Sequence, residues 1–169
     1  MTNGNRHPKR AAGWHLSLAL GLIGASTILC ADAAPATAPW APPRISSELF
    51  ESHGAFDPGH GDFYFVRSSP SFRGWRIMVS HCNTDGWGTP ADASFAGDGV
   101  EADPFITSDG KHLYFISTRS TDGQKHQDLD IWEVDRRDGG GWGEPRRLPP
   151  PVNSRGQEWF PRPAPDGWL

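Results

Sequence analysis

From Arg44 onward, short apolar and aromatic runs alternate with clusters of Gly, Pro, Asp and Ser. No window of about eleven residues free of Gly and Pro carries apolar positions at spacings of three and four, so the pattern predicts short strands rather than helices. The clearest set is Ala102–Ile106, Leu113–Ser117, Ile131–Val134 and Arg146–Leu148. Between the first two lies Ser108-Asp109-Gly110-Lys111, a hairpin turn in which Asp and Gly accept the left-handed backbone. Leu113-Tyr114-Phe115-Ile116 is apolar without a break, which predicts a strand covered on both faces. Ile131-Trp132-Glu133-Val134 alternates more and is expected further out.

The same plan occurs earlier in weaker form, over His53–Phe56, Phe63–Val66, Arg76–Val79 and Ala91–Phe95. Glu51 to Phe65 (ESHGAFDPGHGDFYF) and Glu101 to Phe115 (EADPFITSDGKHLYF) align without a gap, sharing the Glu and the Tyr-Phe pair. Asp85-Gly86-Trp87-Gly88-Thr89-Pro90 aligns with Gly140-Gly141-Trp142-Gly143-Glu144-Pro145, whose Trp is expected to cover a sheet edge. A third copy opens at Glu158 and reaches Asp166-Gly167. Self-similarity at roughly 40–50 residues signals a propeller, solenoid or array. The fold class expected is all-β, in blades of four antiparallel strands: one at about 51–98, one at about 101–150 and the start of a third at 158–169. Pro43-Arg44-Ile45 resembles Pro145-Arg146-Arg147-Leu148, which makes Arg44–Ser47 a candidate clasp strand.

The N-terminal residues read differently. Arg6, Lys9 and Arg10 precede an apolar stretch from Leu16 to Cys30, and Ala31-Asp32-Ala33 has the form of a cleavage site, so residues 1–33 read as a secretory signal peptide. Residues 34–43, rich in Ala and Pro, read as an extended linker. Cleavage removes three of the 16 Lys and Arg and one of the 20 acids, which leaves a mature chain of net charge about −6 with no basic patch to suit a nucleic acid. It also removes Cys30, so no intrachain disulfide is expected of Cys82. No membrane span is expected after cleavage.

With these residues placed, the chain resembles the WD40-like β-propeller repeats of the TolB type. The resemblance rests on Glu101-Ala-Asp-Pro-Phe-Ile, Ser108-Asp-Gly-Lys-His-Leu-Tyr-Phe-Ile-Ser-Thr-Arg119, Asp128-Leu-Asp-Ile-Trp132, Gly141-Trp-Gly-Glu-Pro145 and Val152-Asn-Ser154. It covers Arg44 to Leu169, and the first copy departs from it at Asp57-Pro58-Gly59-His60. It implies a ring of four-stranded blades, commonly six, exported to the periplasm or secreted and used for binding. Two and a fraction blades do not close such a ring, so the expectation is a fragment of a longer propeller, prone to self-association through its open edges.

Glu51, Glu101 and Glu158 recur at one position per repeat and are candidates to gather at a channel mouth, where they would hold a cation or instead brace the backbone. His53 and Asp103 lie on predicted inner strands, and Arg119 offers an anion contact or a partner for a turn carboxylate such as Asp109. Asp128 and Asp130 suggest Ca2+ only weakly, since the spacing fits no complete loop motif. His60, His81, His112 and His126 read as exposed loop residues, no ordered Ser, Asp and His set is evident, and no metal or catalytic residue is assigned. The function expected is a non-catalytic binding or scaffold module for a protein, peptide or cell-wall ligand. The alternative is the propeller portion of a hydrolase, either a sialidase-like glycosidase or a prolyl-oligopeptidase-like peptidase.

Overall fold

The structure, a computed structural model, describes residues 39–121, 123, 127–164 and 166–169. The signal peptide, most of the linker and His126 lie outside these residues. The described chain is all-β, in two antiparallel sheets. The first is built from β1 (Phe50–Phe56), β2 (Asp62–Ser68), β3 (Arg76–Asn83), β4 (Gly86–Trp87) and β5 (Ala91–Asp92). Its order is β1-β2-β3, with the short β4 and β5 both paired to β3. The second, in the order β6-β7-β8-β9, holds β6 (Glu101–Ile106), β7 (His112–Ser117), β8 (Asp130–Asp135) and β9 (Arg146–Arg147).

The predicted repeat is kept at the level of single pairs. Phe65 faces Met78 as Phe115 faces Trp132, and Met78 faces Asp92 as Trp132 faces Arg147. The Cys82–Trp87 pair of β3 and β4 recurs as an isolated bridge between Arg136 and Trp142. Each first strand also breaks register once, between Ser52 and Ala55 and between Ala102 and Phe105. A bulge puts an extra residue on one strand and turns its side chain away from the ladder.

Side-chain alternation splits β2 and β7 between two faces. Tyr64 of β2 packs with Leu113 and Phe115 of β7 in the cluster between the sheets, while Phe63 and Phe65 turn to the opposite side. Trp142 sits in that inter-sheet core, hydrogen-bonded through Nε1 to the Tyr64 hydroxyl at 2.8 Å, so it joins the sheets where a sheet-edge cover was expected. On the far side of the first sheet Ile45, Phe63, Phe65 and Trp87 form a separate cluster, against which Trp40 lays its edge. The end of the expected linker is therefore part of the packing.

Arg44–Ser47 does not form the expected clasp strand. Pro42 O accepts from Ile45 N at 2.9 Å and from Ser46 N at 2.8 Å, a turn repeated where Pro149 O accepts from Val152 N and Asn153 N. Both turns precede a repeat glutamate, Glu51 or Glu158, so this segment introduces a repeat rather than closing one. Cys82 is disulfide-bonded; the expectation of no intrachain disulfide concerns the chain after cleavage of residues 1–33.

Candidate functional site

The bulges decide where the candidate residues go. His53 and Asp103, each two residues past a repeat glutamate, hold left-handed backbone at φ 47° and 55°, and Phe160, two past Glu158, does the same at 53°. A side chain other than Gly adopts this conformation rarely, at a cost of about 1–3 kcal/mol each, and such positions mark sites where surrounding structure overrides local preference. Here the three converge. His53 Nε2 lies 3.5 Å from Asp103 Oδ1, Phe160 N–H donates to Asp103 Oδ2 at 3.1 Å, and the rings of His53 and Phe160 are 5.6 Å apart.

Aromatic side chains wall this point. Trp75 and Trp159 approach edge to face at 6.1 Å, Phe72 sits 6.3 Å from Trp75, and Trp159 sits 6.3 Å from Phe160. Trp75 Nε1 donates to Phe72 O at 3.0 Å, fixing the indole in the short loop between β2 and β3. The pocket bounded by these rings, His53 and Asp103 measures about 50 Å³ and adjoins a wider groove of about 350 Å³ along Trp75, Trp159, Val100 and Gln157. Phe72, Trp159 and Phe160 are each about half exposed, at 49%, 45% and 54%. Exposed aromatics lining one concavity are the usual signature of recognition.

One further contact lies in the pocket. Ser52 Oγ is 2.8 Å from His53 Nδ1, so Ser52, His53 and Asp103 lie in line, an arrangement that sequence reading did not find. The serine and histidine are adjacent in the chain, and only the bulge brings Asp103 to the far side of the imidazole.

The repeat glutamates do not reach the pocket; each is bound by its own repeat. Glu51 accepts from Ser47 Oγ at 2.6 Å, Glu101 from Gly97 N at 2.8 Å and Glu158 from Ser154 Oγ at 2.6 Å. In every case the donor lies four positions earlier. Arg67 and Arg119 complete the brace. Each donates to its glutamate (Arg67 to Glu51, Arg119 to Glu101) and to the carbonyl six residues before it (Ile45 O or Phe95 O), and each lies over the ring of Phe65 or Phe115. Arg119 is thus the partner of Glu101, not of Asp109. Asp109 instead accepts from Thr107 Oγ1 and Lys111 N, bonds that lower its carboxyl from the ordinary range.

Asp130 forms a two-pronged pair with Arg147 at 2.6 and 2.7 Å. His60, His81 and His112 each contact a carboxylate: Asp57 at 3.3 Å, Asp62 at 2.7 Å and Asp135 at 2.7 Å. Of these, His81 and His112 lie on strands rather than in loops. His112, Glu133 and Asp135 stand close enough to share an ion, but Arg146 already reaches Glu133 at 2.7 Å and Asp135 at 3.6 Å, supplying the positive charge. Burial, with Glu133 beside it, pushes the Tyr114 hydroxyl up to about 12.

Sequence reading singled out His53 and Asp103 but missed Phe72, Trp75, Trp159 and Phe160. A signal existed. Trp87 and Trp142 occupy one repeat position, whereas Leu129 stands where Trp75 would recur, and Ser52 and Ala102 stand where Trp159 would. A tryptophan with no counterpart in the other copies is not explained by the repeat. Among the described residues no helix is long and apolar enough to cross a membrane. Compared with family models, curated proteins and solved structures, the chain matches none of them.

Proposed function

We propose that the two sheets are successive blades of a TolB-type β-propeller and that the protein is an exported, non-catalytic binding module of the periplasm or cell envelope. Its ligand enters the aromatic pocket around His53, Asp103 and Phe160. The propeller reading is supported by a repeated step between copies. Glu101 N donates to Trp75 O at 3.0 Å and Glu158 N to Leu129 O at 2.9 Å, so the third copy leaves the second sheet as the second copy leaves the first. The binding reading is carried by one observation: three left-handed residues from three copies meet at a pocket where the non-repeat Trp159 is exposed and Trp75 forms part of the wall.

The test is a thermal melt of the full chain with peptides, oligosaccharides and peptidoglycan fragments. A ligand at about 100 times its Kd adds roughly 2.7 kcal/mol and raises Tm by several degrees. Trp159→Ala removes that shift and leaves the ligand-free melt close to wild type, since Trp159 is 45% exposed. A panel without any shift, or a shift that survives Trp159→Ala, overturns the assignment.

The line of Ser52, His53 and Asp103 favours a second reading, an acyl-transfer hydrolase with Ser52 as nucleophile. We rank it below binding because the 3.5 Å between His53 and Asp103 exceeds hydrogen-bond reach. Hydrolysis of p-nitrophenyl acetate that disappears in Ser52→Ala establishes this second reading. Ligand binding unchanged in Ser52→Ala, without hydrolysis, establishes the first.

A further inference from the structure

Five carboxylates are buried among the described residues: Asp57, Glu101, Asp103, Asp130 and Glu133. Four of them hold an arginine, through the pairs Asp57–Arg136, Glu101–Arg119, Asp130–Arg147 and Glu133–Arg146. Asp103, only 2% exposed, is the exception. It has one neutral donor, the Phe160 N–H, and the imidazole of His53 at 3.5 Å. A buried carboxylate is retained at low cost when a cation stands beside it. At Asp103 that place opens into a pocket walled by Phe72, Trp75, Trp159 and Phe160, whose ring faces themselves attract positive charge.

We propose that this pocket takes an organic cation, an alkylammonium or quaternary ammonium head, with Asp103 as its counter-charge and the aromatic rings as its cage. The pocket shares Phe72, Trp75 and Trp159 with the adjoining groove of about 350 Å³, so a head lodged against Asp103 extends into that groove with the remainder of the molecule. This deepens the binding reading above and rests on it. The chain's acidic balance, 20 acids against 16 bases, favours approach of such a ligand.

The experiment compares choline with 3,3-dimethylbutan-1-ol, its uncharged isostere, by calorimetry and tryptophan fluorescence on the full chain at fixed ionic strength. Choline is expected to bind at one site at least about tenfold tighter than the alcohol, the difference a desolvated cation–ring contact and a counter-charge supply. Asp103→Asn is expected to lose about tenfold for choline and nothing for the alcohol. The substitution suits the fold, because Asn tolerates the left-handed backbone of residue 103 and keeps an oxygen for Phe160 N–H. Trp159→Ala is expected to weaken both probes.

Equal affinity for choline and the alcohol, or choline binding untouched by Asp103→Asn, overturns the cation site and leaves the pocket as an apolar binding site. If His53 instead supplies the charge, choline fails to bind and His53→Gln lowers the melting temperature, which also overturns it. Binding of neither probe, with no ligand found by thermal shift, removes the binding reading as well.

Discussion

The turns that join the first two strands of each sheet are equal in length and opposite in use. Asp57 N donates to Asp62 O at 2.8 Å and Thr107 N to His112 O at 3.0 Å, so the backbone spans match. In the second sheet the acid is Asp109, exposed at the tip, where it serves only its own turn. In the first the acid has moved two positions to Asp57, 3% exposed, where it caps Gly59 N and reaches across to Arg136 of the second sheet. Arg136 in turn lies 3.6 Å over the ring of Trp142 and donates to Gly110 O and Gly140 O. What reads in the sequence as a worn copy is the joint between the sheets. The lesson is that a repeat departs from its consensus where it must touch its neighbour.

The most severe way to break that comparison is Asp57→Ala, which leaves the Arg136 guanidinium buried without its carboxylate. Removing one partner of a buried pair costs about 3–5 kcal/mol. Urea denaturation should show this loss, while Asp109→Ala, in the exposed turn, should move the midpoint far less. The same pair predicts a pH dependence. Burial alone would raise the Asp57 carboxyl, but the Gly59 N–H and the Arg136 guanidinium outweigh it and hold it below the ordinary 3.8. A lowered folded-state value means the stabilisation is complete above 3.8 and is lost as pH falls through the folded-state value. The gap in urea midpoint between wild type and Asp57→Asn should therefore be constant from neutral pH to about 4 and then close.

A smaller effect separates the two tyrosines at one repeat position. Tyr64 accepts the Trp142 indole N–H inside the inter-sheet core, so Tyr64→Phe orphans a buried donor and should cost about 1–3 kcal/mol. Tyr114 instead donates to Glu133 at 2.9 Å, and Glu133 keeps Arg146 and His112 when that bond is lost. Tyr114→Phe should then cost about 1 kcal/mol or less. Trp87, at the position of Trp142, shows the difference from the other side: its buried Nε1 has no hydrogen-bond partner among the described residues, because no tyrosine faces it. Both hydroxyls are raised above 10, Tyr64 chiefly by burial and Tyr114 by burial and Glu133, the latter to about 12. Raised values favour the protonated fold, so this stabilisation is full below 10 and is lost as pH climbs toward 12. Phenolate absorbance at 295 nm should show both of the chain's tyrosines titrating late until the fold gives way.

The strands, the Asp109-Gly110 turn and the repeat period were legible because they rest on residue identity: Glu, Tyr-Phe and Gly-Trp-Gly recur as the same letters. The left-handed positions were not, since His53, Asp103 and Phe160 share a backbone conformation and nothing chemical. The brace on the glutamates was half legible. Glu51 and Glu101 align, but their arginines come from different places, Arg67 inside β2 and Arg119 two residues past β7, because a long side chain can reach one point from either position. The aromatic pocket lay outside repeat logic altogether, and only the unmatched Trp75 and Trp159 pointed to it.

The finest form of the comparison lies in ion pairs that keep their place and exchange their signs. Asp62 faces His81 in the first sheet, where His112 faces Asp135 in the second. Arg76 reaches Asp92 at 2.9 Å across β3 and β5, where Asp130 reaches Arg147 across β8 and β9. An alignment by identity scores each of these positions as a mismatch, yet a cross-strand pair depends on opposite charge and not on which strand carries which sign. Reversing the first-sheet pair tests this. Arg76→Asp or Asp92→Arg alone places like charges on diagonal neighbours across the two strands and should cost up to about 1 kcal/mol, since the pair is partly exposed and screened. The double variant rebuilds the second sheet's arrangement and should recover most of that loss in a double-mutant cycle. Recovery should stop short of wild type, because Arg76 also donates to Gly97 O, a bond the reversed pair cannot make. If the double variant were no more stable than the sum of the singles, the exchange of signs would be coincidence and the ladder alone would hold these strands in register.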